Sequence, residues 1–177
     1  SPGPGLRGAL LRENGELWVA GEYGWVACSR DGAKSFKRVK TGASACLFGV
    51  VEDEAGRVWT AGDGGFIACG KTGSLEKVSG VSEDLGRLRM TPRGLLIPSD
   101  GGHVFEVKGG KVARLPFDAK AMLMALAVTP SGTVIAVGAN GALWRLPAGA
   151  KKAKRVAAPK VLLTGVDVLA DGQVLVV

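Results

Sequence analysis

The sequence predicts an all-β fold, a β-propeller of four-stranded antiparallel blades, and two regularities lead to this class. The first is a repeat of about 40 residues that contains several short strands, which is typical of propeller blades. It is marked by five glycines that each open a short apolar run, at spacings of 41, 38, 38 and 40 residues: Gly15, Gly56, Gly94, Gly132 and Gly172. The second is that these runs are continuous rather than alternating. Such strands need cover on both faces, and neighbouring blades provide it.

Each repeat divides into four short strands separated by turn residues. In the first repeat Asn14-Gly15 is a favoured two-residue hairpin turn, and Tyr23-Gly24 follows the next apolar run. The predicted strands are residues 7–13, 16–21, 25–29 and 35–40 in the first repeat; 46–53, 57–62, 66–69 and 75–78 in the second; 88–91, 95–99, 103–107 and 111–115 in the third; and 125–129, 133–137, 142–146 and 154–156 in the fourth.

The repeats predict four complete blades plus a half blade in a single domain, 1–177, or in a segment of a larger propeller. The approximate bounds are 6–42, 43–81, 82–120 and 121–160 for the blades and 161–177 for the half blade. An apolar strand with an unpaired edge is an aggregation hazard. We therefore expect a longer native propeller, or else a second chain or a second copy in a homo-oligomer that pairs with the open edge.

Composition argues against several classes of protein. No apolar run approaches the roughly 18 residues of a membrane span, so membrane insertion is not expected. Three cysteines, Cys28, Cys46 and Cys69, do not have the number or spacing of a disulfide framework, and we interpret them as small core residues. Unpaired cysteines, and the lack of a signal peptide in the first residues, favour a cytoplasmic location.

One local motif suggests a family. Residues 29–36 read Ser-Arg-Asp-Gly-Ala-Lys-Ser-Phe and resemble the Asp-box, Ser-x-Asp-x-Gly-x-Thr-Trp, of the turn between the third and fourth strands of sialidase-type blades. Ala33, Ser35 and Phe36 depart from the pattern. In such a turn the carboxylate, here Asp31, accepts local backbone N–H groups. The chain resembles the Asp-box (BNR) and WD-like propeller group, which includes photosystem II assembly factor-like proteins, and this resemblance implies a fold but transfers no functional residue.

The turns between second and third strands, with the connections between blades, lie at one end of a propeller and are the predicted binding face. A rigid scaffold holds such loops in place, and loops of this kind carry binding. The residues predicted to contact a partner are Glu22, Tyr23, Asp63, Asp100, His103 and Asn140. The alternative is structural, because tight turns require Asp or Asn before Gly without any ligand.

The net charge of +7 is concentrated in or near the fourth strand of each repeat, which predicts a basic outer rim. The rim residues singled out are Lys34, Lys37, Arg38, Lys151, Lys152, Lys154 and Arg155. Lysine on an edge strand also prevents sheets from pairing, which is the alternative explanation. Acidic proteins, anionic membrane surfaces and nucleic acids would suit such a rim, nucleic acids least, because the basic stretches lack aromatic residues that stack on bases.

The sequence contains no recognisable catalytic constellation. It has one tyrosine and one histidine, no phosphate-binding glycine loop and no Cys, His or Asp spacing typical of a metal site, so no enzyme activity, cofactor or metal is predicted. A sialidase-like enzyme acting on glycans is the weakest hypothesis. The leading one is a non-catalytic scaffold that binds a protein through the loop face. The alternative is an assembly or immunity-type factor that binds an acidic partner through the basic rim.

Overall fold

A computed structural model describes residues 3–71, 73–78 and 80–177. This part of the chain contains eighteen β-strands and three single-turn 3-10 segments, and no α-helix. The chain divides into two compact units, Ser1–Leu85 (unit 1) and Gly86–Val177 (unit 2).

Unit 1 consists of two four-stranded antiparallel sheets, each a meander in chain order. Blade 1 contains β1 (Leu6–Leu11), β2 (Leu17–Gly21), β3 (Val26–Ser29) and β4 (Lys37–Arg38). Blade 2 contains β5 (Leu47–Glu52), β6 (Val58–Gly62), β7 (Phe66–Lys71) and β8 (Ser74–Val78). The 3-10 segments Glu22–Gly24 and Asp63–Gly65 connect the second and third strands of the two blades.

Unit 2 repeats this plan twice and adds a two-stranded sheet. Blade 3 contains β9 (Arg89–Thr91), β10 (Gly94–Pro98), β11 (Val104–Lys108) and β12 (Lys111–Arg114). Blade 4 contains β13 (Leu123–Val128), β14 (Val134–Gly138), β15 (Ala142–Leu146) and β16 (Lys154–Arg155), with the 3-10 segment Ala139–Gly141 between β14 and β15. The short sheet pairs β17 (Val166–Val168) with β18 (Val174–Val176).

The prediction of four-stranded antiparallel sheets is confirmed, but the outer strands of blades 1 and 4 are shorter than predicted. The fourth strand of the first repeat, predicted at 35–40, is only the two-residue β4. Hydrogen bonds to Asp31 hold Ser35 in the preceding turn, so this residue is not available to the ladder. The predicted strand 154–156 is likewise reduced to β16.

The second strand of each complete blade is buried, as its continuous apolar sequence predicts. In unit 1 Trp18 is fully buried and packs in one cluster with Leu47 and Val58 of blade 2. In unit 2 Ala136 of β14 packs with residues of blade 3, whereas Val137 packs with residues of the β17–β18 sheet. Each fully buried Leu or Val side chain in these layers contributes about 1.5–3 kcal/mol to stability.

Two backbone contacts join successive blades within a unit. In unit 1 the first strands approach so closely that a Cβ on Gly8 would lie 2.5 Å from the Cα of Gly49. At the outer edge, the backbone N–H of Leu75 donates to the carbonyl of Lys40 at 2.8 Å. Unit 2 has the corresponding outer bond, since the N–H of Ala153 donates to the carbonyl of Pro116 at 2.9 Å. The outer strand of one blade is thereby attached to the end of the preceding outer strand.

Candidate functional site

The same four-residue turn connects the second and third strands of blades 1, 2 and 4, at residues 21–24, 62–65 and 138–141. Its first residue is an extended glycine, and its third residue has a left-handed backbone: Tyr23 (φ 57°), Gly64 (φ 64°) and Asn140 (φ 57°). These turns carry most of the residues that the sequence predicts for the binding face.

Backbone atoms on both sides hold this turn in place. A Cβ on Gly62 would lie 1.9 Å from the carbonyl oxygen of Cys46, just before the first strand of the same blade. A Cβ on Gly65 would lie 1.7 Å from the carbonyl oxygen of Val81, in the segment that follows blade 2. Gly65 also has a φ of +67°, which L-residues rarely adopt. Both glycines are therefore structural. The residue at the third position of the turn is held on a rigid backbone.

Glu22 and Asp63 occupy the second position of this turn in unit 1. The Glu22 carboxylate accepts the backbone N–H of Gly5 at 3.1 Å and the guanidinium of Arg7 at 2.7 Å. The Gly5 bond, followed by the Arg7 bond, lowers the pKa of Glu22 below its ordinary value. Asp63 is half-buried, and its backbone N–H donates to the carbonyl of Cys46 at 3.0 Å. Both residues contribute to the turn itself.

Tyr23 differs from the other residues in its position. Its side chain is 74% exposed, although its backbone is left-handed. A bulky residue in this conformation is a genuine outlier, whereas the Gly64 and Asn140 of the equivalent turns tolerate it. Strained residues of this kind cluster at sites of function. The turn thus determines the backbone of Tyr23, but it does not explain why this position carries a bulky aromatic residue.

Unit 2 holds the remaining predicted residues on turns of blades 3 and 4. Asp100 is exposed in the turn between β10 and β11. His103 is half-buried, and its ring lies edge-on to that of Phe105 with 6.4 Å between the centroids. Asn140 is exposed at the left-handed position of its turn. Each of the six residues therefore lies on or beside a turn between second and third strands, three in each unit.

In the turn between β3 and β4 the Asp31 carboxylate accepts local hydrogen bonds, as the sequence predicts. Asp31 accepts the hydroxyl of Ser35 at 2.6 Å and its backbone N–H at 3.0 Å, and the hydroxyl of Ser29 donates to it at 2.8 Å. The two Ser35 bonds, followed by the Ser29 bond, lower the pKa of Asp31 to about 2. Asp31 is fully engaged in the turn and is a structural residue.

Sequence reasoning missed an ion network at the opposite end of blade 1. The buried Glu16 carboxylate accepts Arg12 at 2.6 Å, Arg30 at 2.7 Å and the indole N–H of Trp18 at 3.3 Å. Burial alone would raise the pKa of Glu16, but these bonds outweigh it and lower the pKa to about 2. Arg12 also donates to Glu52 of blade 2. The sequence contains the charges, but nothing in it signals a contact between residues 40 positions apart.

Blade 2 has a smaller version of this arrangement around Asp53. Its carboxylate accepts the indole N–H of Trp59 and the guanidinium of Arg57, each at 2.8 Å, as well as the backbone N–H of Arg57 at 2.9 Å. Burial opposes ionisation of Asp53, yet the bonds from Trp59 and Arg57 lower its pKa overall. A tryptophan of the buried second strand is in this way tied to a carboxylate at the turn in both blades of unit 1.

The predicted rim residues are exposed, but they fall into two groups. In unit 1 Lys37 and Arg38 line a cleft of about 460 Å³ beside Arg30 and Asp31, and Lys34 is exposed in the preceding turn. In unit 2 the rim residues lie within one outer hairpin, the third and fourth strands of blade 4 with their turn: Lys151, Lys152, Lys154 and Arg155.

The cysteines and the ligand-forming residues define no further site. Cys28 is buried, while Cys46 and Cys69 are half-buried, and all three are free thiols whose pKa is raised by burial. Within the described ranges, no three residues of the His, Cys, Asp and Glu types are grouped so that they could bind a metal ion. The same ranges hold no helix with the length and apolarity of a membrane span.

Comparison by sequence gives no family for this chain. No protein-family description matches it. No curated protein matches it either.

Comparison by structure confirms the predicted β-propeller. The chain is similar to the WD40 beta propeller domain of Doa1, with a TM-score of 0.75 and 14% identity over 95% of this chain and 58% of that chain. It is also similar to the extracellular domain of BT4673 from B. thetaiotaomicron, with a TM-score of 0.78 and 11% identity over 97% of this chain and 26% of that chain. At such identities the likeness shows the fold alone. The chain spans about three fifths and one quarter of these two structures.

Proposed function

We propose that this propeller is a non-catalytic scaffold that binds a protein partner through the turns between second and third strands. The proposed contact residues are Glu22, Tyr23, Asp63, Asp100, His103 and Asn140. The likeness to a WD40 propeller supports a role in protein interaction without naming a partner. The resemblance of residues 29–36 to the Asp-box points to the same broad group, and its hydrogen bonds are those of a structural turn.

The observation that carries this proposal is the placement of Tyr23. The structure holds an exposed aromatic ring on a left-handed residue between two glycines that backbone carbonyls enclose. Tyrosine is enriched among residues that dominate binding energy at protein interfaces. A ring presented from a rigid turn loses little conformational entropy on binding, because little motion remains to be lost. Glu22 and Asp63 support the turns on which such a partner would rest.

The test is affinity capture from cell extract with matched variants. Tyr23→Asn introduces the residue that blade 4 carries at the equivalent position, so it removes the ring and relieves backbone strain. We expect the free energy of unfolding to be unchanged or raised by up to about 1 kcal/mol. The partners that the wild-type protein captures should be lost. Glu54→Gln, an exposed change at a turn between first and second strands, is the control and should retain them. Capture that survives both Tyr23→Asn and replacement of all six residues would refute the assignment.

A second candidate function is that of an assembly or immunity-type factor that binds an acidic partner through its basic rim. The observation that favours it is the distribution of charge between the units. Unit 1 has 10 Lys and Arg against 11 Asp and Glu, a net charge of −1, whereas unit 2 has 13 against 5, a net charge of +8. A partner held in this way should be lost from capture as salt rises, since salt screens exposed charges. Capture that is indifferent to salt would contradict this candidate.

Completion of the two-stranded sheet by a second chain or a second copy remains a prediction. β18 is paired with β17 on one side, and Leu175 in its centre is 52% exposed. Strand pairing at such an edge would produce a dimer whose mass depends on protein concentration. Sedimentation equilibrium measures this directly, and a monomer at all concentrations would exclude the homo-oligomer.

A further inference from the structure

Two pairs of cations face each other across the outer strands of unit 2. Lys108 lies directly opposite Lys111 in the β11–β12 pair, and Arg145 lies directly opposite Lys154 in the β15–β16 pair. All four residues are exposed. Like charges at directly opposed positions destabilise a sheet. The register of unit 2 therefore includes two repulsive contacts.

The equivalent positions of unit 1 contain no such pair. Arg145 occupies the position that Cys28 has in blade 1 and Cys69 has in blade 2. Each of the three pairs with the equivalent residue of the second strand in its own blade. The residue across the outer ladder is Lys37 in blade 1 and Glu76 in blade 2. The fold thus accepts a neutral residue at the Arg145 position, and the cation there is not required for the strand.

Neighbouring residues add to the charge in blade 4. Lys151, Lys152 and Arg155 are exposed in the same hairpin, and we name these three together with Arg145 and Lys154 the cationic ridge. The bond from Ala153 to the carbonyl of Pro116 fixes the segment that carries them. Neither β15 nor β16 contains an acidic residue. These two strands therefore supply no carboxylate that would neutralise the cations of the ridge.

Protection against sheet pairing does not explain this arrangement. Cations at an outer edge prevent other sheets from adding, which is a sufficient reason for Lys154 and Lys111. Arg145 and Lys108, however, belong to third strands that are hydrogen-bonded on both sides. An interior strand has no free edge to protect. A bound anion, in contrast, would turn each repulsive pair into a pair of attractive contacts.

We propose that the cationic ridge binds an acidic segment of a partner protein, with a carboxylate seated between Arg145 and Lys154. This inference rests on the proposed function as a protein-binding module and specifies one surface and the chemistry of its partner. A protein is favoured over a nucleic acid, because Trp144, the aromatic residue of this hairpin, is partly buried and packs against the core cluster of unit 2. The second rim group, in unit 1, is not part of the site.

Lys154→Glu tests the proposal through two readouts of opposite sign. The new carboxylate opposes Arg145, so without ligand we expect the melting temperature to rise by about 1–3 °C. Fluorescein-labelled decaglutamate, measured by fluorescence anisotropy at low salt, should bind the variant about tenfold more weakly than the wild type. Lys71→Glu makes the same change of charge at an exposed residue of unit 1 that is not one of the rim residues, and it should leave the affinity within about twofold. The paired exposed change Lys151→Glu and Lys152→Glu should also weaken binding.

Several outcomes would overturn the proposal. One is unchanged decaglutamate affinity in both ridge variants. Another is equal loss of affinity in Lys71→Glu, which would mean that overall charge rather than the ridge is responsible. Ridge-dependent binding that is tighter for a decauridine RNA or for phosphatidylserine vesicles than for decaglutamate would assign the surface to a different partner. Capture that depends on Tyr23 but not on the ridge would leave the proposed function standing and reject this inference alone.

Discussion

The two blades of unit 1 and blade 4 of unit 2 share one strand plan but fasten their turns between first and second strands with different chemistry. In blade 1 this end contains the buried Glu16 with its arginines, and in blade 2 it contains Asp53 with Arg57 and Trp59. In blade 4 the same turn is held by hydroxyl groups, since Thr129 accepts the backbone N–H of Thr133 at 3.1 Å and lies 2.9 Å from the hydroxyl of Ser131. The strand plan therefore does not depend on ion pairs, whereas the glycines of the turns between second and third strands are common to both units.

The largest expected effect tests what the two units share. Gly65→Ala in unit 1 and Gly141→Ala in unit 2 each place a Cβ against a backbone carbonyl, 1.7 and 2.1 Å from its oxygen, at a left-handed residue. We expect each to lower the free energy of unfolding by about 3 kcal/mol or more. Denaturant titration measures the loss, and hydrogen exchange followed by mass spectrometry locates it in the altered unit.

Gly64→Ala is the matched control, since Gly64 has the same left-handed backbone as Gly65 but open space around its Cβ position. It should cost about 1 kcal/mol, the strain of the backbone alone. Gly64→Asn should cost less, because Asn140 already occupies the equivalent position of blade 4. Equal losses for Gly64→Ala and Gly65→Ala would show that carbonyl contact is not what fixes the turn.

The next effect separates the units. Glu16→Gln removes the charge that compensates two arginines at a buried position of unit 1, and we expect a loss of about 2–4 kcal/mol in the free energy of unfolding. Thr129→Ala removes a neutral hydroxyl acceptor at the equivalent turn of unit 2 and should cost about 1 kcal/mol. Denaturant titrations of the two variants compare these values. The distinction between the units would fail if the threonine variant lost as much as the glutamate variant.

Acid should affect unit 1 before unit 2, and this is the smallest of the three effects. In the folded chain the pKa of Glu16 and of Asp31 is about 2, against ordinary values of 4.5 and 3.8. A carboxyl group whose pKa is lower in the folded than in the unfolded chain stabilises the fold at pH values above its unfolded pKa. That stability is lost as the pH falls from about 4.5 towards 2. Amide protection, corrected for intrinsic exchange, should therefore decline first in unit 1.

The variant Glu16→Gln should make the amide protection of unit 1 depend less on pH, because the Glu16 carboxylate no longer titrates. Any dependence on pH that remains would then come from Asp31 and from other carboxylates. If protection declined first in unit 2 in the wild-type chain, the ion network of blade 1 would not be the acid-sensitive element.

The local features of the fold were predictable from the sequence, and the long-range ones were not. Glycine spacing and continuous apolar runs predict the sheets, because they reflect turn geometry and burial on both faces. Lys108 and Lys111 flank Gly109-Gly110, so a two-residue hairpin would already place them opposite each other. Arg145 and Lys154 are separated by eight residues, and only the observed register reveals that they meet.

The candidate site shows the same division. The positions of Tyr23 and Asn140 beside turn glycines are evident from the sequence, but the left-handed backbone of Tyr23 is not, since it results from carbonyls that enclose the turn on both sides. The bond between Arg12 and Glu52 is equally hidden, because it joins two blades. Contacts between blades depend on packing distances that no local pattern encodes.

The contact between Gly8 and Gly49 limits which blades can be exchanged in engineering. Both glycines follow the same register shift in the first strand, and the corresponding residue of blade 4 is Ala125. A blade with a side chain at the Gly8 position would place its Cβ 2.5 Å from the Cα of Gly49 if it were grafted beside blade 2. The blades are therefore not freely interchangeable, although their sequences look alike. A chimera would need glycine at this position for its neighbouring blades to pack.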